Sequence, residues 1–356
     1  RFASELDFLR SKVDSAKAVD ANIRCALPLN ESLASSHPPP ASVKEATLIA
    51  ADGSQINPDR HAAIQFCVVN VGAIQMKLNS GETPEIFTDT ELLYGDDLLP
   101  NGFPLSDGMV ALKRDLAERT KLDELSKGMQ GAVVTFTDGP IELWGAKGED
   151  ASSYEAIVQK YLGVLSRLEG RGVTTAGYVD KPSADLVVRL LEIASADHEQ
   201  IQKLREFHPL RGVSDRWLFG EAKNPLLPPG HRSAIFKIQS SSEKSYKGSL
   251  ELHFFYLNVG TQGHPWPVRV EIPKWVVDDK VKLDLLHAVL VEQCRMMGSK
   301  PYPYLLHRAH ETAVVKNEEK QQIEQMLAME LRNQDEDVGE GSYKQSAKDR
   351  AGRTRM

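Results

Sequence analysis

The sequence of 356 residues is long enough to bury a large core, in one elaborated domain or in two smaller ones. Its 41% of hydrophobic and 26% of charged residues are the proportions of an ordinary soluble globular protein. No apolar run approaches the ~20 residues that a membrane helix needs, so we expect no membrane-spanning helix. The net charge of −7 is not typical of a nucleic-acid binder, although a local basic groove can exist within an acidic average.

Cysteine usage excludes two further kinds of site. Cys25, Cys67 and Cys294 lie far apart and form no CxxC pair, so we expect neither a zinc site nor a disulfide framework. The same pattern predicts a reducing, cytoplasmic setting.

The N-terminal stretch, residues 1–27, predicts a helix. Leu6, Leu9 and Val13 recur at helical spacing and define one apolar face. We expect this face to contact the core, a second subunit or a partner protein. With the proline-rich linker that follows, the helix makes up a predicted N-terminal region of residues 1–45.

An apolar run over residues 48–51 leads directly to Asp52, Gly53 and Ser54. The run predicts a buried strand with Asp52 at its end, where a carboxylate can leave the core and meet a ligand. Asp-Gly is also an ordinary turn dipeptide, so this stretch alone leaves a turn open.

A second stretch of the same form ends in Asp138 and Gly139. If both runs are parallel buried strands, Asp52 and Asp138 meet at one edge of the sheet. Two carboxylates a few ångströms apart repel, and each raises the pKa of the other. A divalent cation relieves this repulsion, and oxygen ligands suit Mg²⁺ or Mn²⁺.

The segment between the two acidic runs predicts two more strands, over 62–78 and 85–94, and an amphipathic helix over 110–127. A change in alternation near Asn70 indicates a bulge or a turn. The strands predict an antiparallel meander that begins at the Asp52 strand. The helix carries Glu118, for which composition alone favours a solvent-exposed position.

After the Asp138 strand, a helix over 152–168, a strand over 173–179 and a helix over 183–196 alternate, which predicts parallel pairing with helices on the sheet faces. Further predicted strands cover 233–238, 250–259 and 267–272, and further predicted helices cover 281–297 and 309–331. Residues 203–231 are irregular. The polar tail, 333–356, is predicted to be disordered because it offers almost no apolar surface to bury.

This order of elements is that of an RNase H-like core. The predicted fold class is therefore α/β, with a mixed sheet of an antiparallel meander plus parallel strands, flanked by helices. An added N-terminal helix and C-terminal strands and helices complete it. In such a core, Asp52, Glu118 and Asp138 converge on two metal ions ~4 Å apart, which activate the attacking water and stabilise the leaving oxygen.

Five motifs, in this order, resemble the NurA nuclease family. They are LIAADGS at 48–54, RDLAER at 114–119, TDG at 137–139, GYVDKP at 177–182 and YPYLLHRAHE at 302–311. In the last motif, a tyrosine and a histidine stand eight residues apart, as Tyr302 and His310 do here. The resemblance makes residues 46–332 the expected nuclease domain.

The resemblance implies a Mn²⁺-dependent deoxyribonuclease, with Mg²⁺ as an alternative cofactor. It implies 5′–3′ exonuclease activity on single- and double-stranded DNA and endonuclease activity on single strands. It also implies a homodimer that works with the hexameric ATPase HerA in DNA end resection and repair.

The resemblance also implies five catalytic residues, namely Asp52, Glu118, Asp138, Tyr302 and His310. All of them except Tyr302, which would line the site, are implied metal ligands. His310 could instead contact the scissile phosphate. The assignment of Glu118 is not unique, because Asp115 and Glu124 share its helix.

Other basic and aromatic residues are candidates for DNA contact. The basic candidates are Lys181, Arg211, Arg216 and Lys223, and the aromatic candidates are Trp144, Trp217, Trp266 and Trp275. Basic side chains grip phosphates, and aromatic rings stack on bases. An exposed loop and a packed core predict the same residue types, so both interpretations remain open.

Two rival functions also remain open. One is another RNase H-like nuclease that acts on an RNA–DNA hybrid or a junction. The other is a non-catalytic DNA-repair scaffold, against which the set of clustered acids argues.

Overall fold

The structure, a computed structural model, describes residues 2–41, 45–102, 105–144, 151–220 and 226–333. The predicted tail after Asn333 and the candidate Lys223 lie outside these residues. Within them, no helix is both long and apolar enough to cross a membrane.

The helices are α1 (Phe2–Val19), α2 (Asp107–Leu125), α3 (Ala151–Gly170), α4 (Leu186–Ser195), α5 (His198–Gln202), α6 (Asp215–Phe219), α7 (Lys274–Val277), α8 (Lys280–Met296), α9 (Tyr304–Ala313) and α10 (Asn317–Asn333). The strands are β1 (Cys25–Pro28), β2 (Ser36–His37), β3 (Thr47–Ile56), β4 (Phe66–Lys77), β5 (Glu85–Tyr94), β6 (Val133–Asp138), β7 (Thr174–Val179), β8 (Arg232–Ser233), β9 (Phe236–Gln239), β10 (Leu252–Asn258) and β11 (Pro267–Pro273).

These eleven strands of the described residues form one sheet, whose main path runs β1-β9-β10-β11-β7-β6-β3-β4-β5. The strands β3, β4 and β5 are an antiparallel meander. The strand β6 pairs parallel to β3, and β7 pairs parallel to β6. This arrangement confirms the predicted α/β fold with an RNase H-like core and a mixed sheet.

Both faces of the central meander are covered, which explains the hydrophobic pattern of β4. Its residues from Phe66 to Ile74 are all buried. Asn70 contacts α9 on one face, whereas its neighbour Val71 faces α2 on the other. The pairing with β3 runs without interruption from Ile56 to Thr47. The predicted bulge or turn near Asn70 is therefore wrong, because a strand buried on both faces loses its alternation without any defect.

The predicted end of the first strand is also wrong. The strand β3 continues past Asp52 to Ile56, because β4 pairs with it along its whole length. Asp52 nevertheless reaches the sheet edge on its other side, since the pairing with β6 stops at Ala51 and Thr137.

The N-terminal helix is shorter than predicted and ends at Val19. Its apolar face, Leu6, Leu9 and Val13, is buried within the chain, where α1 contacts α4. Of the alternatives predicted for this face, contact with the core is confirmed. Contact of these three residues with a second subunit or a partner is wrong, because the chain itself already covers them.

The predicted helix 309–331 is two helices, α9 and α10, with a break at Val314. The carbonyl oxygen of Ala313 accepts hydrogen bonds from the side chains of Ser54 and Asn70. These bonds satisfy the end of α9, and the β-branched residues that follow favour an extended chain.

Candidate active site

Asp52 and Asp138 lie at adjacent positions on two parallel strands. The register pairs Ala51 with Thr137, so the next residue on each strand is one of these two aspartates. Asp52 is buried, whereas Asp138 ends β6 and keeps solvent access. Desolvation of its carboxyl group, together with the nearby charge of Asp52, raises the pKa of Asp138 to about 6.

His310 contacts Asp52 across 258 positions of sequence. The distance between His310 Nδ1 and Asp52 Oδ2 is 2.7 Å. Helix α9 can lie this close to the sheet because Gly72, which pairs with Asp52, has no side chain. A Cβ atom at Gly72 would lie 2.5 Å from the carbonyl oxygen of Ala309.

Glu118 faces the same region from α2 and is only 5% exposed. The solvent-exposed position that composition favours is therefore wrong, because α2 packs closely over Gly53. A Cβ atom there would lie 2.6 Å from Glu118 Oε1. Burial raises the pKa of Glu118 well above its usual value, and the charges of Asp115 and Asp52 raise it further.

The other acids of α2 are placed differently. Asp115 is bound by Arg114, whose Nη2 atom lies 2.8 Å from Asp115 Oδ1. Glu124 is exposed and contacts Lys121. Of Asp115, Glu118 and Glu124, only Glu118 is buried, which resolves the ambiguity among them in its favour. The other buried acid of α2, Asp123, is paired with Arg167 and Arg171.

Tyr302 approaches Asp138 from the loop before α9. Its hydroxyl group hydrogen-bonds the Asp138 carboxylate, and burial together with that charge raises the pKa of Tyr302. The ring packs edge-on against Tyr178, with centroids 5.6 Å apart. This packing holds the hydroxyl group in place, so Tyr302 can orient Asp138.

The structure thus brings all five predicted residues to one edge of the sheet, as two contacting pairs and a buried acid. The contacting pairs are Asp52 with His310 and Asp138 with Tyr302. Glu118 completes the set, since the charge of Asp52 acts on its pKa.

A divalent cation fits the chemistry of these donors, which are carboxylate oxygens and an imidazole nitrogen. Asp52 raises the pKa of both Asp138 and Glu118, so the negative charge of the cluster is incompletely balanced. In the described residues, however, no group of three His, Cys, Asp or Glu side chains is close enough to hold a metal ion. Binding would therefore require side chains to turn, with His310 releasing or sharing Asp52.

Sequence reasoning gave no role to Asp180, although it directly follows β7, just as Asp138 ends β6. Its charge also raises the pKa of Asp138. The signal was present in the motif GYVDKP, another β-rich run that ends in a carboxylate.

Comparisons with known proteins agree with the family suggested by the motifs. A family model described as the NurA domain matches residues 46–315. Among solved structures, the NurA nuclease from Sulfolobus solfataricus is similar at 13% identity, with a TM-score of 0.47 and 93% of each chain covered. The catalytic domain of human endonuclease V is similar at 13% identity, with a TM-score of 0.35 and coverage of 91% of this chain and 98% of that one. Among curated proteins, no sequence matches this chain significantly.

The family match covers well over half of the sequence and includes the strands of Asp52 and Asp138 and the helices of Glu118 and His310. It confirms the recognition made from the five motifs. The chain belongs to the NurA family of nucleases.

Proposed function

We propose that this protein is a metal-dependent deoxyribonuclease whose catalytic centre is the cluster of Asp52, Glu118, Asp138, Tyr302 and His310. The observation that carries the proposal is the register of β3 and β6, which sets two carboxylates side by side at the sheet edge. Their unbalanced charge supports a cation-binding role, and the family supports hydrolysis of a phosphodiester.

The proposed metal ligands are Asp52, Glu118, Asp138 and His310. A divalent cation held by these residues would supply an activated water and stabilise the leaving oxygen, and we favour two such ions. Tyr302 holds the carboxylate of Asp138 in position. Glu118 must lose its proton to bind a cation, so its raised pKa makes binding dependent on pH.

We also propose the finer properties that the family resemblance implies. These are 5′–3′ exonuclease and single-strand endonuclease activity, preference for Mn²⁺ over Mg²⁺, a homodimer, and work with a HerA-type ATPase in DNA end resection. A cytoplasmic location stays a prediction from cysteine usage. The resemblance supports these properties, and no surface of the chain is assigned to the partner or to the dimer.

The proposal is tested by incubating the purified chain with labelled single-stranded DNA, double-stranded DNA and an RNA–DNA hybrid. We expect DNA cleavage with Mn²⁺ and none with EDTA. Faster cleavage of the RNA strand of the hybrid would support the rival nuclease instead. If no substrate is cut with any divalent cation, the proposed nuclease activity is wrong.

A further inference from the structure

A groove opens beside the carboxylate cluster, between the β10–β11 hairpin and the loop before α9. It encloses about 900 Å³, and its lining includes Lys181, Arg216, Trp266, Lys300 and Tyr302. This volume is near the upper end of the ~300–1,000 Å³ range of ligand pockets. The groove therefore has room for more than a single phosphate group.

The groove is positively charged, although the whole chain has a net charge of −7. Its lining carries the cations Lys181, Arg216 and Lys300 and one carboxylate, Asp180. None of these three cations forms an ion pair within the described residues. The carboxylate is occupied, because Asp180 Oδ1 accepts a hydrogen bond of 2.9 Å from the indole nitrogen of Trp266. Such cations are available to an anionic ligand.

The ring of Trp266 lies close to two of these cations. The guanidinium carbon of Arg216 lies 4.7 Å from the centre of its ring, and Lys181 Nζ lies 5.7 Å from it. These distances are those of cation–π attraction. The backbone N–H of Trp266 donates to Asn258 Oδ1 at 2.9 Å and its indole N–H donates to Asp180, so both the backbone and the ring of this residue are held. The cations are thereby presented in a set arrangement.

The groove is continuous with the proposed catalytic centre. Asp180 and Tyr302 both line it, and both act on Asp138. A polymer with one phosphate at the carboxylates would therefore extend into the groove that Lys181 and Arg216 line. Lysine and arginine are the side chains that proteins use to neutralise a phosphate backbone.

We propose that this groove binds the phosphate backbone of a single DNA strand on its way to or from the carboxylate cluster. The assignment rests on the proposed nuclease function. Its volume of about 900 Å³ is that of a small-molecule pocket, which suits a short stretch of one strand better than a duplex. Trp266 serves as a support for the two cations and not as a stacking platform.

The experiment measures binding without hydrolysis. Fluorescence anisotropy of a labelled (dT)16 oligonucleotide in EDTA, over a series of salt concentrations, compares the full chain with Arg216→Ala and Lys181→Ala. Each variant should bind about fivefold more weakly, and its slope of log affinity against log salt should be smaller by about 0.7, the value for one lost phosphate contact on a single strand. Lys203→Ala, which removes an exposed lysine outside the groove lining, should match the wild type.

Two further variants separate the groove from general destabilisation. Thr261→Glu adds a negative charge to an exposed position of the lining and should weaken binding while the melting temperature is unchanged. Trp266→Leu removes the support without removing a charge and should also weaken binding. The proposal is overturned if the groove variants bind (dT)16 with the same affinity as the Lys203→Ala control. It is also overturned if the wild type does not bind (dT)16.

The single-strand assignment and the proposed function have separate readouts. A blunt duplex should bind equally well to the wild type and to Arg216→Ala, and an equal loss on both substrates contradicts the single-strand assignment. Because these measurements contain no metal, the groove stands or fails on them alone. A wild type that binds (dT)16 but cuts no DNA with Mn²⁺ would refute the proposed nuclease and with it the role of the groove in feeding a catalytic site.

Discussion

Asp138 at the end of β6 and Asp215 at the start of α6 both have a pKa raised to about 6, and in both burial is the largest cause. Their surroundings differ. Asp215 is fully buried and accepts hydrogen bonds from the backbone N–H groups of Val187 and Val188 and from the hydroxyl group of Tyr256, at 2.7 to 2.9 Å. It thereby satisfies the first turn of α4.

Asp138 keeps solvent access and faces other carboxylates, with Tyr302 as a donor. A raised pKa therefore does not by itself indicate function. The difference lies in what a bound cation would change: it would relieve the repulsion around Asp138, whereas the three donors around Asp215 leave a cation no role.

The largest expected effect is the difference in DNA hydrolysis between variants of Asp138 and Asp215. Asp138→Asn should reduce DNA hydrolysis by about 10³-fold or more, since a catalytic group is lost. Asp215→Asn should keep its activity per folded molecule but lower the free energy of unfolding by about 1–3 kcal/mol, because an amide cannot accept from all three donors. Cleavage assays and urea unfolding measure the two quantities. Near wild-type hydrolysis by Asp138→Asn would remove Asp138 from the site.

Glu118 and Glu124 allow the same comparison of a site residue with a control residue within one helix. Glu118→Gln should lower activity by at least about 10²-fold, whereas its stability should be unchanged or higher, because glutamine resembles the protonated carboxyl that burial favours. Glu124→Gln, an exposed position on the same helix, is the matched control and should change neither quantity. Equal activity of the two variants would show that the burial of Glu118 is structural.

His310 should have a smaller effect, because it acts in part through Asp52. His310→Ala should slow hydrolysis by about 10–100-fold, with partial rescue by high Mn²⁺ if the imidazole helps to bind the cation. Slow cleavage with unchanged metal affinity would instead favour a contact with the scissile phosphate. His307→Ala is the control, since His307 contacts Glu311 on the surface of α9. Metal titration followed by cleavage rates distinguishes these outcomes.

The smallest effect concerns the pH dependence of stability. The folded pKa of about 6 for Asp215 is above the ~3.9 of an unfolded aspartate, so the native state binds more protons between these values. The free energy of unfolding should therefore fall as pH rises from about 4 to 6, by about 1–3 kcal/mol from this group, and then level off.

Urea unfolding of the metal-free protein at several pH values measures this slope. Asp215→Asn and Asp138→Asn should each make the slope of unfolding free energy against pH less steep. With saturating Mn²⁺, the contribution of Asp138 should disappear and that of Asp215 should remain, because only Asp138 is expected to meet the cation. A slope that Mn²⁺ leaves unchanged in the wild type would argue against this difference.

Local patterns were enough to predict the acidic strands. Each is an apolar run that leads to Asp52 or Asp138, and the order of strands and helices fixed the mixed sheet around them. The parallel register that sets the two residues side by side follows from that order. Their shared edge could therefore be expected before the structure was known, even though β3 continues beyond Asp52.

Long-range packing decided what the patterns could not. The burial of Glu118 depends on how closely α2 approaches Gly53, which no helical periodicity contains. The contact of His310 with Asp52 depends on the close approach of α9 to Gly72 and on the hydrogen bonds that strand side chains donate to the Ala313 carbonyl. The same hydrogen bonds separate α9 from α10, where periodicity alone predicted one continuous helix.

Every role proposed for the carboxylates requires that the sheet edge formed by β3 and β6 binds a divalent cation. Isothermal titration calorimetry of Mn²⁺ into the wild type, Asp52→Asn, Asp138→Asn and Asp215→Asn tests it most directly. We predict binding to the wild type and to Asp215→Asn and a loss of binding in Asp52→Asn and Asp138→Asn. Absence of Mn²⁺ binding to the wild type, or equal binding to all four proteins, would contradict the account.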